Sequence, residues 1–225
     1  MPHITLINPN TSQDTTAMMT EIARNELPPG FNVEGKTARH GVAMILNAYQ
    51  LEDAAEETIS IGLLASAKSN GLIISAFGDP GLQKLRAGCS LPVVGICEAS
   101  MLEATVGKRR FGIATVTPEL VSSFAAKARA LGVANFYTGT RLTSGNPVDL
   151  TGSPERLYEA LEKAVRECVN LDGADVVIIG GGPLGQAAHA LQKALAVPVI
   201  APIGSAVRSI VAQIEKRTTP VKPST

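Results

Sequence analysis

The side chains here that could move protons or attack carbon are few and scattered. The chain has three cysteines, Cys89, Cys97 and Cys168, and three histidines, His3, His40 and His189. No CxxC pair or Cys/His zinc spacing occurs, and the histidines share no common spacing, so no metal site is expected. Cys168 falls on the apolar face of a helical pattern and reads as core, and Cys89 sits in a loop before Pro92. Cys97 ends an apolar run, where it is either a small buried hydrophobe or an alternative thiol, and Glu98 beside it is a base or a helix cap. Asp79 precedes Pro80 at a helix start, which suits a cap as well as an acid. Ser75 and Ser205 offer hydroxyls without an activating base. His40 is a candidate for a loop over a cleft, and His189 lies within a helix.

Polar groups without titratable protons are more concentrated. Asn8-Pro9-Asn10-Thr11-Ser12 follows an apolar run and carries more amides and hydroxyls than one cap needs. Gly180-Gly181-Gly182-Pro183 follows another, and a glycine turn lets a ligand approach the backbone. Neither stretch is a dinucleotide fingerprint or a Walker loop.

The elements that must position these groups alternate. Short apolar runs at Ile4–Asn8, Leu72–Ser75, Val93–Ile96, Phe111–Thr115, Val176–Ile179 and Val199–Ala201 read as buried parallel strands. Helical periodicity marks Ser12–Leu27, Leu51–Ser69, a stretch after Pro118, and Glu155–Asn170. The tail after Lys216 is expected to fray. Strand–helix alternation gives an α/β fold with parallel sheets flanked by helices.

The segment from Gly71 resembles the segment from Ala174, with Pro92 matching Pro198 at an offset of 106 residues; Ile4–Thr11 matches Ile113–Pro118 at nearly the same offset. A unit of this length is too long for a solenoid repeat. It implies an internal duplication giving two pseudo-symmetric lobes: residues 1–96 plus 205–225, and residues 97–204. Ligands sit beyond the carboxyl ends of parallel strands. The cleft between the lobes should therefore collect Asn8, Asn10, Thr11, Ser75, Phe77, Gly78, Thr115, Thr117, Gly182 and Pro183, with Cys97, Glu98 and Asp79 as acid–base candidates.

Composition narrows the classes. The chain has 225 residues, 45% hydrophobic and 18% charged, which excludes disorder and is ample for a core without disulfides. Twenty basic residues balance twenty acidic ones, aromatics are 4%, and Trp is absent. A nucleic-acid or anionic-membrane surface is not expected. No apolar run has membrane-spanning length and no signal-peptide pattern opens the chain, so a cytoplasmic setting with reduced thiols is expected.

Asn-Pro-Asn-Thr-Ser, Ala-Phe-Gly-Asp-Pro-Gly-Leu at 76–82 and Pro-Val-Val-Gly-Ile-Cys-Glu-Ala at 92–99 resemble the aspartate/glutamate/hydantoin racemase superfamily, closest to its hydantoin and allantoin racemase branch. The resemblance covers Ile4 to about Ile214. It implies two pseudo-symmetric α/β lobes, a cofactor-independent isomerase, and a small-molecule substrate in the cleft; the sequence leaves a homo-oligomer open. It also implies two thiols, one per lobe, that remove and return a proton at the substrate carbon. In this sequence those two positions carry Ala76 and Gly181.

Three functions remain open. One is an isomerase or lyase acting on a small ureide, amide or amino-acid-derived carboxylate without the two-thiol mechanism. The second is a hydantoin-type racemase whose cysteine has been removed, and the third is a non-catalytic small-molecule binding protein.

Overall fold

The computed structural model describes residues 1–218. The first half of the chain runs β1 (His3–Asn8), α1 (Gln13–Glu26), β2 (Asn32–Thr37), α2 (Ala48–Ser66), β3 (Gly71–Ile74), α3 (Leu82–Gly88), β4 (Val93–Gly95) and α4 (Ile96–Ala104). The second runs β5 (Phe111–Thr115), α5 (Val121–Ala130), β6 (Tyr137–Leu142), α6 (Pro147–Thr151), α7 (Pro154–Asn170), β7 (Val176–Ile179), α8 (Gly185–Ala194), β8 (Val199–Ile200) and α9 (Pro202–Thr218).

The strands form two separate four-stranded sheets, β2-β1-β3-β4 and β6-β5-β7-β8, and every pairing is parallel. The strand order is the same in both, as a duplicated unit requires. The matching extends to single hydrogen bonds. The Leu72 N–H donates to the Pro92 carbonyl at 2.9 Å, and the Val177 N–H donates to the Pro198 carbonyl at 3.0 Å. The central strands are buried throughout because helices cover both faces, which is why β3 (GLII) and β7 (VVII) are continuous apolar runs.

Edge strands β2 (NVEGKT) and β6 (YTGTRL) escape the apolar-run reading, since each has a solvent-facing side and a central glycine. In β6 the register shifts opposite Phe111/Gly112, and Gly139 adopts φ 131°. This β-bulge leaves Thr138 as the extra residue.

Several expected bounds shift: β3 ends at Ile74, β4 at Gly95 and β8 at Ile200, and α2 begins at Ala48. Helix α2 stops at Ser66 rather than Ser69. Helix α9 continues through Thr218, past the expected fraying point at Lys216, and the rest of that tail, 219–225, lies outside the described residues. The α9 helix returns to the first sheet, packing on α1, α4, β3 and β4. Its buried Ile203, Val207, Ile210 and Ile214 share a core with Ile4, Ile73 and Val94. Among the described residues no helix is long and apolar enough to cross a membrane.

Candidate active site

The carboxyl ends of the two sheets meet across one cavity of about 50 Å³. A single water needs roughly 10–15 Å³, so this space exceeds one water. Asn10 enters from the β1 turn, and Ser75, Ala76 and Phe77 enter from the β3 turn. Val116, Thr117 and Leu120 follow β5, and Gly180 through Leu184 follow β7. Met44, Ile45 and Leu51 close the remaining side.

Ala76 and Gly181 hold equivalent places. Each is the second residue beyond its strand, after Ile74 of β3 and Ile179 of β7. The residue before each donates its N–H to the neighbouring central strand, Ser75 to the Ile7 carbonyl at 2.9 Å and Gly180 to the Ala114 carbonyl at 2.8 Å. Gly181 has φ 169°, extended backbone open to any residue. Its N–H is taken by the Ile179 carbonyl at 3.0 Å, so this backbone donor is already occupied.

The polar groups of the cavity can be assigned as donors or acceptors. Asn10 Oδ1 accepts from Asn8 Nδ2 at 2.8 Å and from the Ser12 N–H at 2.9 Å, which leaves Asn10 Nδ2 to donate. The Ser75 hydroxyl donates to the Ile7 carbonyl at 2.8 Å, leaving its lone pairs open. Thr115 donates its single hydroxyl proton to the Gly180 carbonyl at 2.7 Å. The Thr117 hydroxyl, 3.1 Å from Thr115 Oγ1, must then donate to it and face the cavity as an acceptor. Among side chains, the site thus presents one amide donor and two hydroxyl acceptors.

Four expected ligand contacts stand outside this lining. Asn8 is buried, and its Nδ2 bonds Asn10, the Ser12 carbonyl and Thr16 Oγ1 at 2.8–3.1 Å, so it shapes the turn that aims Asn10. Thr115 is buried behind Thr117. Thr11 gives its N–H to the Val42 carbonyl at 3.0 Å, and Gly78, at φ 150°, packs under Leu51. Gly182 and Pro183 do line the cavity, as expected.

The three acid–base candidates are gathered into one cluster, but outside the cavity lining. Asp79 adopts φ 55°, which turns its carboxylate toward the start of α4. There it accepts the Cys97 N–H at 2.8 Å and the Glu98 N–H at 2.9 Å, while Lys127 of α5 lies 3.0 Å from Oδ2. Gly95 makes room, because a Cβ there would fall 2.2 Å from Asp79 Cγ. Burial raises the Asp79 pKa, and Lys127 and the two α4 amides oppose that rise. Cys97 is fully buried, and burial followed by the Asp79 charge pushes its thiol well above the ordinary range. Glu98 is held by Arg86 in a two-pronged ion pair at 2.7 and 3.1 Å. These residues cap a helix and bind the halves together; none reaches the cavity.

The histidines stand apart as well. His40 is exposed and lines outer grooves beside Glu57, and His189 faces Glu26 at 3.6 Å. The loop carrying His40 does reach the cleft, but through Met44 and Ile45. Met44 packs on the core of the second sheet. Opposite, the Phe77 ring meets Phe124 of α5 edge-on at 5.1 Å.

The model of one protein family, Asp/Glu/Hydantoin racemase, matches residues 4–210. The chain belongs to that family. Racemases are isomerases, and the family assigns the chain to that enzyme class. A hydantoin racemase of Rhizobium meliloti is 29% identical over 92% of this chain and 86% of its own. One from Pseudomonas sp. (strain NS671) is 27% identical over 97% of this chain and 89% of its own. The structure of an allantoin racemase from Klebsiella pneumoniae superposes with a TM-score of 0.91 at 26% identity, covering 96% of this chain and 89% of that one. The Asp/Glu/hydantoin racemase fold accounts for the two sheets and for the cleft between them.

Proposed function

We propose that this chain is a member of the racemase family whose cleft receives a small ureide or cyclic amide and whose chemistry, isomerase or related lyase, does not run on two thiols. The observation that carries this reading is the lining itself. Among the described residues it contains no Asp, Glu, His, Cys, Lys, Arg or Tyr, and Ala76 and Gly181 stand where the family resemblance implies thiols. One amide donor and two hydroxyl acceptors complement a ring carbonyl flanked by N–H groups. A carboxylate would find no cation there, which favours a neutral ureide over an amino-acid carboxylate. Hydantoin and allantoin, which the relatives' names carry, are both cyclic ureides.

The acid and base for any proton transfer would then be water or a group of the ligand. The same lining also favours a second reading, a cleft that binds the ureide without turning it over. One experiment addresses both. Thermal melts with 5-substituted hydantoins and allantoin measure binding, and deuterium incorporation at C5 measures turnover. Saturable stabilisation is expected with either ligand series. C5 exchange that survives Cys97→Ala would exclude the binding-only reading, exchange that Cys97→Ala abolishes would overturn the thiol-free reading, and no stabilisation by any ureide would overturn the ligand class.

A further inference from the structure

The two sheets have four edges, and three are blunted. β4 has three residues and β8 two, and β6 carries the bulge at Thr138 with Gly139 at φ 131°. Short strands, bulges and exposed edge charges are the usual protections against edge pairing. β2 has only the last, in Glu34 and Lys36, a pair of opposite sign. It runs six residues without a positive φ or a register shift.

Its outward groups can be named. The Asn32 N–H donates to the Pro2 carbonyl and the Ala38 N–H to the Asn8 carbonyl, both at 3.0 Å. Even-numbered residues therefore turn their amides to β1, and the alternation of a strand turns those of Val33, Gly35 and Thr37 outward. On one face α1 packs over Gly35, where a Cβ would meet Thr20 Oγ1. On the other face stand the exposed Glu34 and Lys36, at the rim of a groove of about 590 Å³ shared with Ile61 and Leu64 of α2. Leu64 is 78% exposed.

We infer that β2 is a homodimer seam, at which β2 of a second copy pairs antiparallel about a two-fold axis at Gly35 and joins the two first sheets into one eight-stranded sheet. The charge pattern selects this occupant. About that axis Glu34 of each copy lies opposite Lys36 of the other, twice over, so the strand is complementary to itself. The outward amides fit the same axis. Gly35 pairs with Gly35 of the second copy, and Val33 with Thr37, as hydrogen-bonded pairs. The Glu34–Lys36 pairs then fall at the closer non-hydrogen-bonded positions. Glu34 already attracts Lys36 and His3 within the chain, so the charges are set at the seam before pairing.

Sedimentation equilibrium of the full chain tests this. The chain is expected to dimerise. Lys36→Glu, which sets glutamates opposite glutamates, should weaken the dimer at least about tenfold. The exchanged double variant, Glu34→Lys with Lys36→Glu, should restore it. On the unmodified chain, hydrogen exchange should show the Val33, Gly35 and Thr37 amides gaining protection as concentration rises, while Asn32 and Ala38 stay protected throughout. A monomer at every concentration, a dimer indifferent to Lys36→Glu, or a double variant that stays dissociated while melting normally would each overturn the seam.

Discussion

Gly182 and Ser75 follow strands of different sheets, yet a Cβ built on Gly182 would stand 2.5 Å from the Ser75 carbonyl oxygen and 2.6 Å from Met19 Sδ. At this glycine the two halves leave no room for a side chain. Gly182→Ala should push them apart and cost about 1–3 kcal/mol, in the range of overpacked cores. Gly181→Ala, facing only the Leu184 side chain at 3.0 Å, should cost less. Urea melts of the two variants give the comparison, and equal losses would contradict it.

Gly181 has extended backbone and Ala76 lines the cavity, so both can accept a thiol. Ala76→Cys should raise deuterium exchange at C5 of a bound hydantoin. Adding Gly181→Cys should raise it further and produce loss of optical rotation. A positioned acid or base commonly contributes about 10²–10⁴-fold. A double variant that binds the ring yet exchanges no faster than the parent would show that these positions do not face the reacting carbon.

Asn10 serves two tasks with two atoms, and substitutions can separate them. Asn10→Asp keeps an oxygen for Asn8 and the Ser12 N–H but replaces the donor facing the cavity. Ureide binding should fall about tenfold, as expected for one hydrogen bond. Asn10→Ala should also lower the melting temperature, because the turn loses its acceptor. Titration calorimetry beside thermal melts distinguishes the two, and unchanged ureide affinity in Asn10→Asp would remove Asn10 from the site.

Lys127 neutralises a fully buried carboxylate that belongs to the other half of the molecule. Lys127→Met leaves Asp79 without its cation and should cost roughly 3 kcal/mol. Asp79→Asn tolerates the left-handed backbone at φ 55° and should cost less, since the amide oxygen still receives an α4 N–H. A loss within about 0.5 kcal/mol for Lys127→Met, as at an ordinary surface site, would show that the pair adds nothing.

Cys97 and Cys168 are buried and Cys89 is partly exposed. A disulfide reagent should therefore titrate a single thiol in the native protein and all three in denaturant. Burial raises the Cys97 pKa and pushes that of Cys168 from 9.0 up to about 12. Raised native values make the sign definite. Their contribution is fully present below about pH 9 and declines as pH rises toward 12, while unfolded thiols ionise. Denaturation midpoints on the alkaline side should fall, and less so in a Cys97→Ala, Cys168→Ala variant. Equal alkaline declines in both proteins would assign the effect to other groups.

The buried half of this architecture is legible in the residues, and the exposed half is not. Strands buried on both faces, such as Val176–Ile179, declare themselves as apolar runs, and their matched offset exposes the duplication. β2 and β6 pair on one side only, so charged and hydroxylated residues hide them. The cleft follows the same division. Asn10, Ser75, Thr117 and the glycine turn are readable because polar and flexible residues cluster after apolar strands. Met44 and Ile45 are not, because an apolar loop tip looks like any short hydrophobic run until its target, the core of the second half, is known. The position of Asp79 depends on the absent Cβ of Gly95, sixteen residues away. Spacing alone does not reveal such a partnership.

The return of α9 to the first sheet has a consequence for synthesis on the ribosome. The faces of β3 and β4 that this helix covers are made early, and the helix emerges after Pro202. Chains grow at about 5–20 residues per second and domains tend to fold as they appear. The second sheet can therefore pack Val177 and Ile179 with Leu161, Val165 and Leu191 while Ile73 and Val94 still await their cover. For several seconds the nascent protein carries an uncapped apolar face, the window in which a holding chaperone has most to shield.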